Sequence, residues 1–207
     1  MTIDERLTTL DSLWSVWAEQ GLSMTEEQWG RPTRLGTWDV RSLYAHGRSW
    51  PSAFTGLVHQ LRDAEPTHAT AAALLLDFNA PDGVAHRLRD WAATNAREEA
   101  ARYSVEELVE PFASAGPRAI TTARELGSVC VDYFGQAILR LDEAVSIGIM
   151  EATVHLLDLQ HALGQTPDVP ADGLAHTAAL LAAMAPPVAF IEAATGRATA
   201  EVFPVLT

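Results

Sequence analysis

The chain has 207 residues, 48% of them hydrophobic and 20% charged, which is long and apolar enough to bury a core. Its 14 basic residues are all arginine and stand against 27 acidic ones, for a net charge of −13. That balance argues against nucleic acid and against an anionic membrane surface as partners, since both call for a basic face.

A single cysteine, Cys130, allows no internal disulfide framework. It reads as a small buried hydrophobe rather than a nucleophile. The opening Met1-Thr-Ile-Asp-Glu-Arg6 has no basic region followed by an apolar run. No signal peptide is expected, and the cytoplasm is the expected location.

In chain order, Ile3, Leu7, Leu10, Leu13, Trp14 and Trp17 recur at helical spacing. They predict an amphipathic helix over residues 3–20, ended by Gly21. Thr25 and Gln28 match a capping box with only a short turn after it. Residues 30–37 read as a loop, with Thr37 as N-cap of a helix over about 38–62. Pro51 should kink that helix near Gly47. Leu43, His46, Trp50 and Phe54 share its apolar face.

Asn79 to Gly83 reads as a turn. A helix over about 84–103 follows, with Leu88, Trp91 and Ala92 expected inward. Ser104 and Glu107 form a second capping box, and Pro111, Gly116 and Pro117 mark irregularities beyond it. Residues 127–135 read as a loop or a short extended piece. A long helix is expected over about 137–163, with Gly164 as its C′ residue and Pro167 beyond. A last helix spans about 173–184, and the tail from Pro186 to Thr207 should wrap back. The sum is one all-α domain over 1–207, a four-helix bundle with extra short helices. Its core covers about 3–164, and a C-terminal helix and tail cover 165–207.

Within the long helix, Glu151 and His155 lie four residues apart among Val154, Leu156, Leu157 and Leu159. On a helix they share one face. Charged groups in so apolar a setting are usually paired or coordinate a metal. The pair reads either as an i,i+4 ion pair or as two ligands of a divalent metal. Catalytic zinc commonly takes three protein ligands and leaves one position open.

Among the seven histidines, His161 is rotated roughly 240° from His155 and points away. His59, His68, His86 and His176 lie in polar or terminal settings. His46 sits on an apolar helix face, where it is either a satisfied core histidine or the third ligand. His46, Glu151 and His155 are therefore the candidate metal ligands. Asp158, three residues after His155, is either a group that orients it or a partly exposed helix carboxylate.

Two stretches carry a resemblance. Leu35-Gly-Thr-Trp38-Asp-Val-Arg41-Ser-Leu-Tyr-Ala-His46 and Glu151-Ala-Thr-Val-His155-Leu-Leu-Asp158-Leu, closing with Ala162-Leu-Gly164, resemble the paired motifs of a known family. This is the mycothiol-dependent maleylpyruvate isomerase N-terminal family of the DinB-like superfamily. The tail from Pro187 to Arg197 is similar to tails of its short members. The resemblance implies a DinB-like four-helix bundle with a zinc ion, or another divalent metal, on His46, Glu151 and His155. It also implies mycothiol or a similar low-molecular-weight thiol as cosubstrate.

The expected function is a thiol-dependent transferase or isomerase acting on a small-molecule electrophile. A metal-dependent hydrolase and a non-catalytic binding or resistance protein with a structural metal are the alternatives. A homodimer through Leu13, Trp14 and Trp17 is one arrangement the pattern allows.

Two departures from the family pattern bear on the substrate. The stretch from Gly164 to Thr207 is expected to be too short for the second domain of the named isomerase. Gly148 also stands where many relatives carry an arginine, which is expected to leave space in the pocket. Arg48, the best remaining cation, is expected to point elsewhere.

Overall fold

The computed structural model describes residues 1–198 and 201–206. Helix α1 covers Ile3–Ser23 and opens on a capping box between Thr2 and Glu5. It runs through Gly21, which was expected to end it. A Cβ there would stand 2.5 Å from Val109 Cγ2 and 3.1 Å from the Tyr44 ring. This glycine serves a close approach, not a helix stop.

A one-turn α2 (Glu26–Trp29) follows the Thr25 box. The expected helix 38–62 is two helices, α3 (Val40–Gly47) and α4 (Ser49–Leu57), divided at Arg48. Its N-cap is Asp39, not Thr37: Asp39 Oδ1 accepts from both the N–H and the hydroxyl of Ser42. The chain then adds the short strand β1 (Leu61–Arg62) and α5 (Ala71–Phe78).

Helix α6 (Val84–Arg102) inverts the expected face. Ala96 and Ala100 are buried against α3, while Leu88 and Trp91 are exposed at 47% and 62%. Small residues let the two backbones approach, and Arg41 of α3 locks them by donating to the carbonyls of Ala100 and Tyr103.

From Ser104 the chain forms one continuous rod. It comprises α7 (Val105–Glu110), a π-helical segment Pro111–Ala115 and α8 (Gly116–Leu126). The Gly116 N–H donates to the Pro111 carbonyl, the i→i+5 bond that defines a π turn. Pro111 and Pro117 have no N–H to continue an ordinary ladder.

Residues 130–140 are a hairpin of β2 (Cys130–Tyr133) and β3 (Ala137–Arg140). Cys130 pairs with Arg140 and Tyr133 with Ala137, and β1 adds antiparallel to β2. The expected start of the long helix at 137 is therefore a strand. Ala137 and Leu139 alternate inward, and helix α9 (Leu141–Ala162) begins only after Arg140, with Asp142 and Glu143 in its first turn. Gly164 (φ +69°) closes α9 as foreseen: Gln165 N–H reaches Gln160 O and Gly164 N–H reaches His161 O, a Schellman end.

Helices α10 (Ala171–Met184) and α11 (Pro187–Ala194) complete the described elements. The tail returns to the core through Val205 and Leu206, as expected; Thr199, Ala200 and Thr207 lie outside the described residues.

Helices α1 and α9 pack against each other at the centre. α3 wedges between α9 and α6, the α7–α8 rod lies on α1 and α4, and α10 lies along α9. The fold is mostly helical, consistent with a DinB-like bundle, with one small antiparallel sheet. Leu13, Trp14 and Trp17 are at most 1% exposed within the chain's own core, so they offer no face to a second copy. Among the described residues no helix is long and apolar enough to cross a membrane.

Candidate metal centre

His46 lies in the last turn of α3. Its backbone carbonyl accepts from the Ser49 hydroxyl at the break between α3 and α4. Glu151 and His155 lie at mid-length on α9, where Trp17 of α1 donates its indole N–H to the neighbouring Ala152 carbonyl. The wedge of α3 against α9 brings the three side chains together. Each offers one ligand atom, and these atoms lie within 4.8 Å of one another. The His46 and His155 rings are nearly perpendicular, 89°, with centroids 5.0 Å apart.

The donor set fits a divalent ion such as zinc. Two metal–ligand bonds of about 2.05 Å at a tetrahedral angle would hold their donors roughly 3.3 Å apart. His155 Nε2 and Glu151 Oε2 are 3.5 Å apart, and their side chains keep 16% and 23% exposure. Three inward donors with part of their surface still open match the pattern of sites that retain a free coordination position.

Charge and tautomer are set locally. Asp158 is 3% exposed, which removes the reading of a partly exposed helix carboxylate. Its Oδ2 lies 3.0 Å from His155 Nδ1, while its Oδ1 accepts from Arg34 Nε at 2.6 Å. With Nδ1 engaged, Nε2 is the nitrogen that faces Glu151 and the site.

Burial opposes the charge on His155, but the bonds to Asp158 and Glu151 outweigh it and raise its pKa to about 9. Burial likewise works against the Glu151 carboxylate. The hydrogen bond and charge of His155 outweigh it, with His46 and the Trp50 indole as lesser contributors, and hold Glu151 below the usual range. His46 is driven the other way, to about 4, by burial and then by the charge of His155. It therefore stays neutral, with a lone pair free.

The remaining histidines lie elsewhere. His59 and His161 are exposed. His68 faces Asp77, and a His86 ring nitrogen bonds the Asn79 carbonyl. His176, on α10, lies near Arg6 and Glu143. Cys130 sits half-buried in β2. Arg48 turns away, as expected: it donates to the Glu107 carbonyl and stacks over Tyr103 at 4.1 Å. Gly148, however, faces α1. A Cβ there would meet Leu10 at 3.6 Å, so the position gives no room to the site.

Two parts of the site were not foreseen. Arg34 belongs to a loop closed by the β-bridge between Pro32 and Asp39 and by the bonds of Thr33 to the Trp38 carbonyl, and its guanidinium reaches Asp158 on α9 across 124 residues of chain. Phe112 lies in the π segment, stacked on Trp17 with centroids 5.1 Å apart and 7° between planes. Pro111 signalled an irregularity there, but nothing local told which ring it would aim inward.

A family model described as mycothiol maleylpyruvate isomerase N-terminal domain matches residues 10–160. No curated protein and no solved structure matches the chain.

Proposed function

Because the chain belongs to the mycothiol maleylpyruvate isomerase N-terminal domain family, we propose that it is a zinc-dependent thiol transferase or isomerase. Its cosubstrate is a low-molecular-weight thiol of the mycothiol type, and its substrate is a small electrophile. The observation that carries this reading is the convergence of His46, Glu151 and His155 from two helices onto one partly open point.

His46 and His155 would hold the ion through neutral imidazoles and Glu151 through one carboxylate oxygen. The ion, when bound, supplies stabilisation of a thiolate at neutral pH. The chain's residues do the rest. Asp158 and Arg34 fix the His155 ring, and the aromatic side chains of α1, α4 and the π segment keep water from the reacting carbon.

In the net reaction one C–S bond forms and either an alkene π bond or an epoxide C–O bond opens. The freed electron pair takes up the proton that the thiol lost. An isomerase would follow the same addition with rotation about the carbon–carbon bond that was the alkene; loss of the added proton and departure of the thiolate then restore the double bond and the free thiol.

A hydrolase would need a free acid or base beside the ligands. Asp158, the acid in contact with His155, is already committed to His155 and Arg34. The deciding experiment is metal content together with turnover of model electrophiles with and without added thiol. Metal near one equivalent and strictly thiol-dependent turnover are expected, and both should vanish in His155→Ala. An active, metal-loaded His155→Ala protein would refute the reading.

A further inference from the structure

The two histidines of the centre are held in different ways. A histidine that binds a metal almost always donates its other ring N–H to a protein acceptor, and that bond fixes the ring. His155 follows the rule through Asp158. His46 does not. Among the described residues its ring makes no hydrogen bond, and only its backbone carbonyl is bonded, to the Ser49 hydroxyl and the Arg48 N–H.

What His46 has instead is a wall. The Trp38 ring lies against it, with centroids 5.0 Å apart and 42° between planes. Trp38 is itself anchored at several points. Its indole N–H donates to the Ala93 carbonyl of α6 at 3.2 Å. Its backbone carbonyl accepts from the N–H and the hydroxyl of Thr33, and its own N–H donates to the Leu35 carbonyl. The indole cannot swing aside without breaking these bonds, so its face limits the rotation of the imidazole packed on it. A free imidazole would lose rotamer freedom when an ion binds. A ring already held has lost it on folding.

The loop that carries this wall also serves the other histidine. Residues 32–39 are closed by the bridge between Pro32 and Asp39 and contain both Arg34 and Trp38. Arg34 acts on His155 through Asp158, while Trp38 meets His46 directly. Trp38 also links the site to α6, which supplies no ligand.

We propose that Trp38 is the positioning residue of His46, its pinned indole taking the place of the missing hydrogen-bonded partner. The inference rests on the metal-centre reading of the site and is independent of which thiol or electrophile is used.

The test uses the full chain and two readouts. Competition with a chromophoric chelator gives the zinc affinity. The visible bands of the cobalt(II)-loaded protein report the ligand geometry. Trp38→Leu keeps an apolar side chain in the loop but removes the ring face. Trp38→Phe keeps a ring face and loses the bond to Ala93. Arg41→Ala removes a different tie between α3 and α6, the bonds to the Ala100 and Tyr103 carbonyls, and leaves the Trp38–His46 contact in place.

Trp38→Leu should weaken zinc binding about tenfold or more, as expected on removing a support of a ligand histidine, and should change the cobalt bands. Trp38→Phe should recover most of the affinity, and Arg41→Ala should match the wild type in both readouts. Wild-type affinity and cobalt bands in Trp38→Leu overturn the proposal. An equal loss in Arg41→Ala also overturns it, because Trp38 would then act only by holding α3 to α6. Trp38→Phe binding as weakly as Trp38→Leu overturns it too, because the ring face would then count for nothing. A wild-type chain that binds no zinc would instead refute the metal centre itself, and this inference with it.

Discussion

Asp158 Oδ2 lies 3.0 Å from His155 Nδ1, one turn along the same helix, and the other oxygen of that carboxylate is held by Arg34 from a loop 124 residues earlier in the chain. The pair decides which nitrogen His155 presents to Glu151 and how firmly the ring is held. A residue that touches no ligand atom of the other two side chains thereby sets the quality of the site.

Asp158→Asn should therefore keep the fold and weaken zinc binding by about 10–100-fold, the usual effect of removing a partner that orients a ligand histidine. Arg34→Ala should weaken it less, because the Arg34 side chain is 52% exposed and its ion pair is screened by water. Competition with a chromophoric chelator measures both. A wild-type affinity in Asp158→Asn would remove the orienting role.

Removing the metal should abolish activity without unfolding the chain. The core formed by α1, α3 and α9, with Leu7, Leu13, Leu43 and Leu156 fully buried, does not depend on an ion. Helical circular dichroism should survive a strong chelator, while Tm falls. Re-added zinc at about 100 times its Kd should restore roughly 2.7 kcal/mol of stability. Loss of helical signal on chelation would show that the ion is structural.

The metal-free protein should lose stability at both ends of the pH scale. The folded value of His155, about 9, lies above the ordinary 6.5, so its proton stabilises the fold. That contribution is complete below pH 6.5 and is lost as pH rises through about 9. His46 is lowered to about 4, so its neutral form is the stabilising one. Its contribution is present above pH 6.5 and is lost as pH falls through about 4. Thermal melts of chelated protein from pH 4 to 9.5 should show both limbs, and His155→Asn should remove the alkaline one.

Arg6 ties three helices together. One of its nitrogens, NH1, donates to Glu143 Oε1 at 2.8 Å, to the Asp142 carbonyl and to Ser146 Oγ, while Glu143 Oε2 accepts from the Ala71 N–H that opens α5. Both side chains are only 15% exposed. Arg6→Ala strands a largely buried carboxylate and should cost about 3 kcal/mol in urea denaturation. Glu143→Gln keeps an accepting oxygen and should cost less.

Gly116→Ala opposes two effects. Alanine gains up to about 1 kcal/mol of helix propensity. Its Cβ, however, would stand 2.6 Å from Trp14 Cε3, a clash worth about 1–3 kcal/mol. The clash should win, giving lower stability and a displaced Trp14. A more stable variant would mean that the Trp14 ring can shift freely.

Much of this protein was legible in its sequence because the signals are local. The capping boxes at Thr25 and Ser104, the Gly164 helix end and the apolar face carrying His46 each depend on a few neighbouring residues, and each stands as expected. Spacing of four also suffices to stack Glu151 beneath His155. Only packing decided the rest. Gly21 and Gly148 are contact positions because α7 and α1 happen to lie against them, and Leu88 and Trp91 face water because α6 meets α3 through alanines. Residues 137–140 are a strand because β2 supplies its hydrogen-bond partners. Arg34 and Phe112 join the site across 124 and 39 residues of chain measured to Asp158 and Glu151 respectively. The sequence determined which residues have donor atoms and which helix faces carry them. The tertiary structure decided which donors meet, because packing of helices far apart in the chain sets those distances, and no local spacing encodes it.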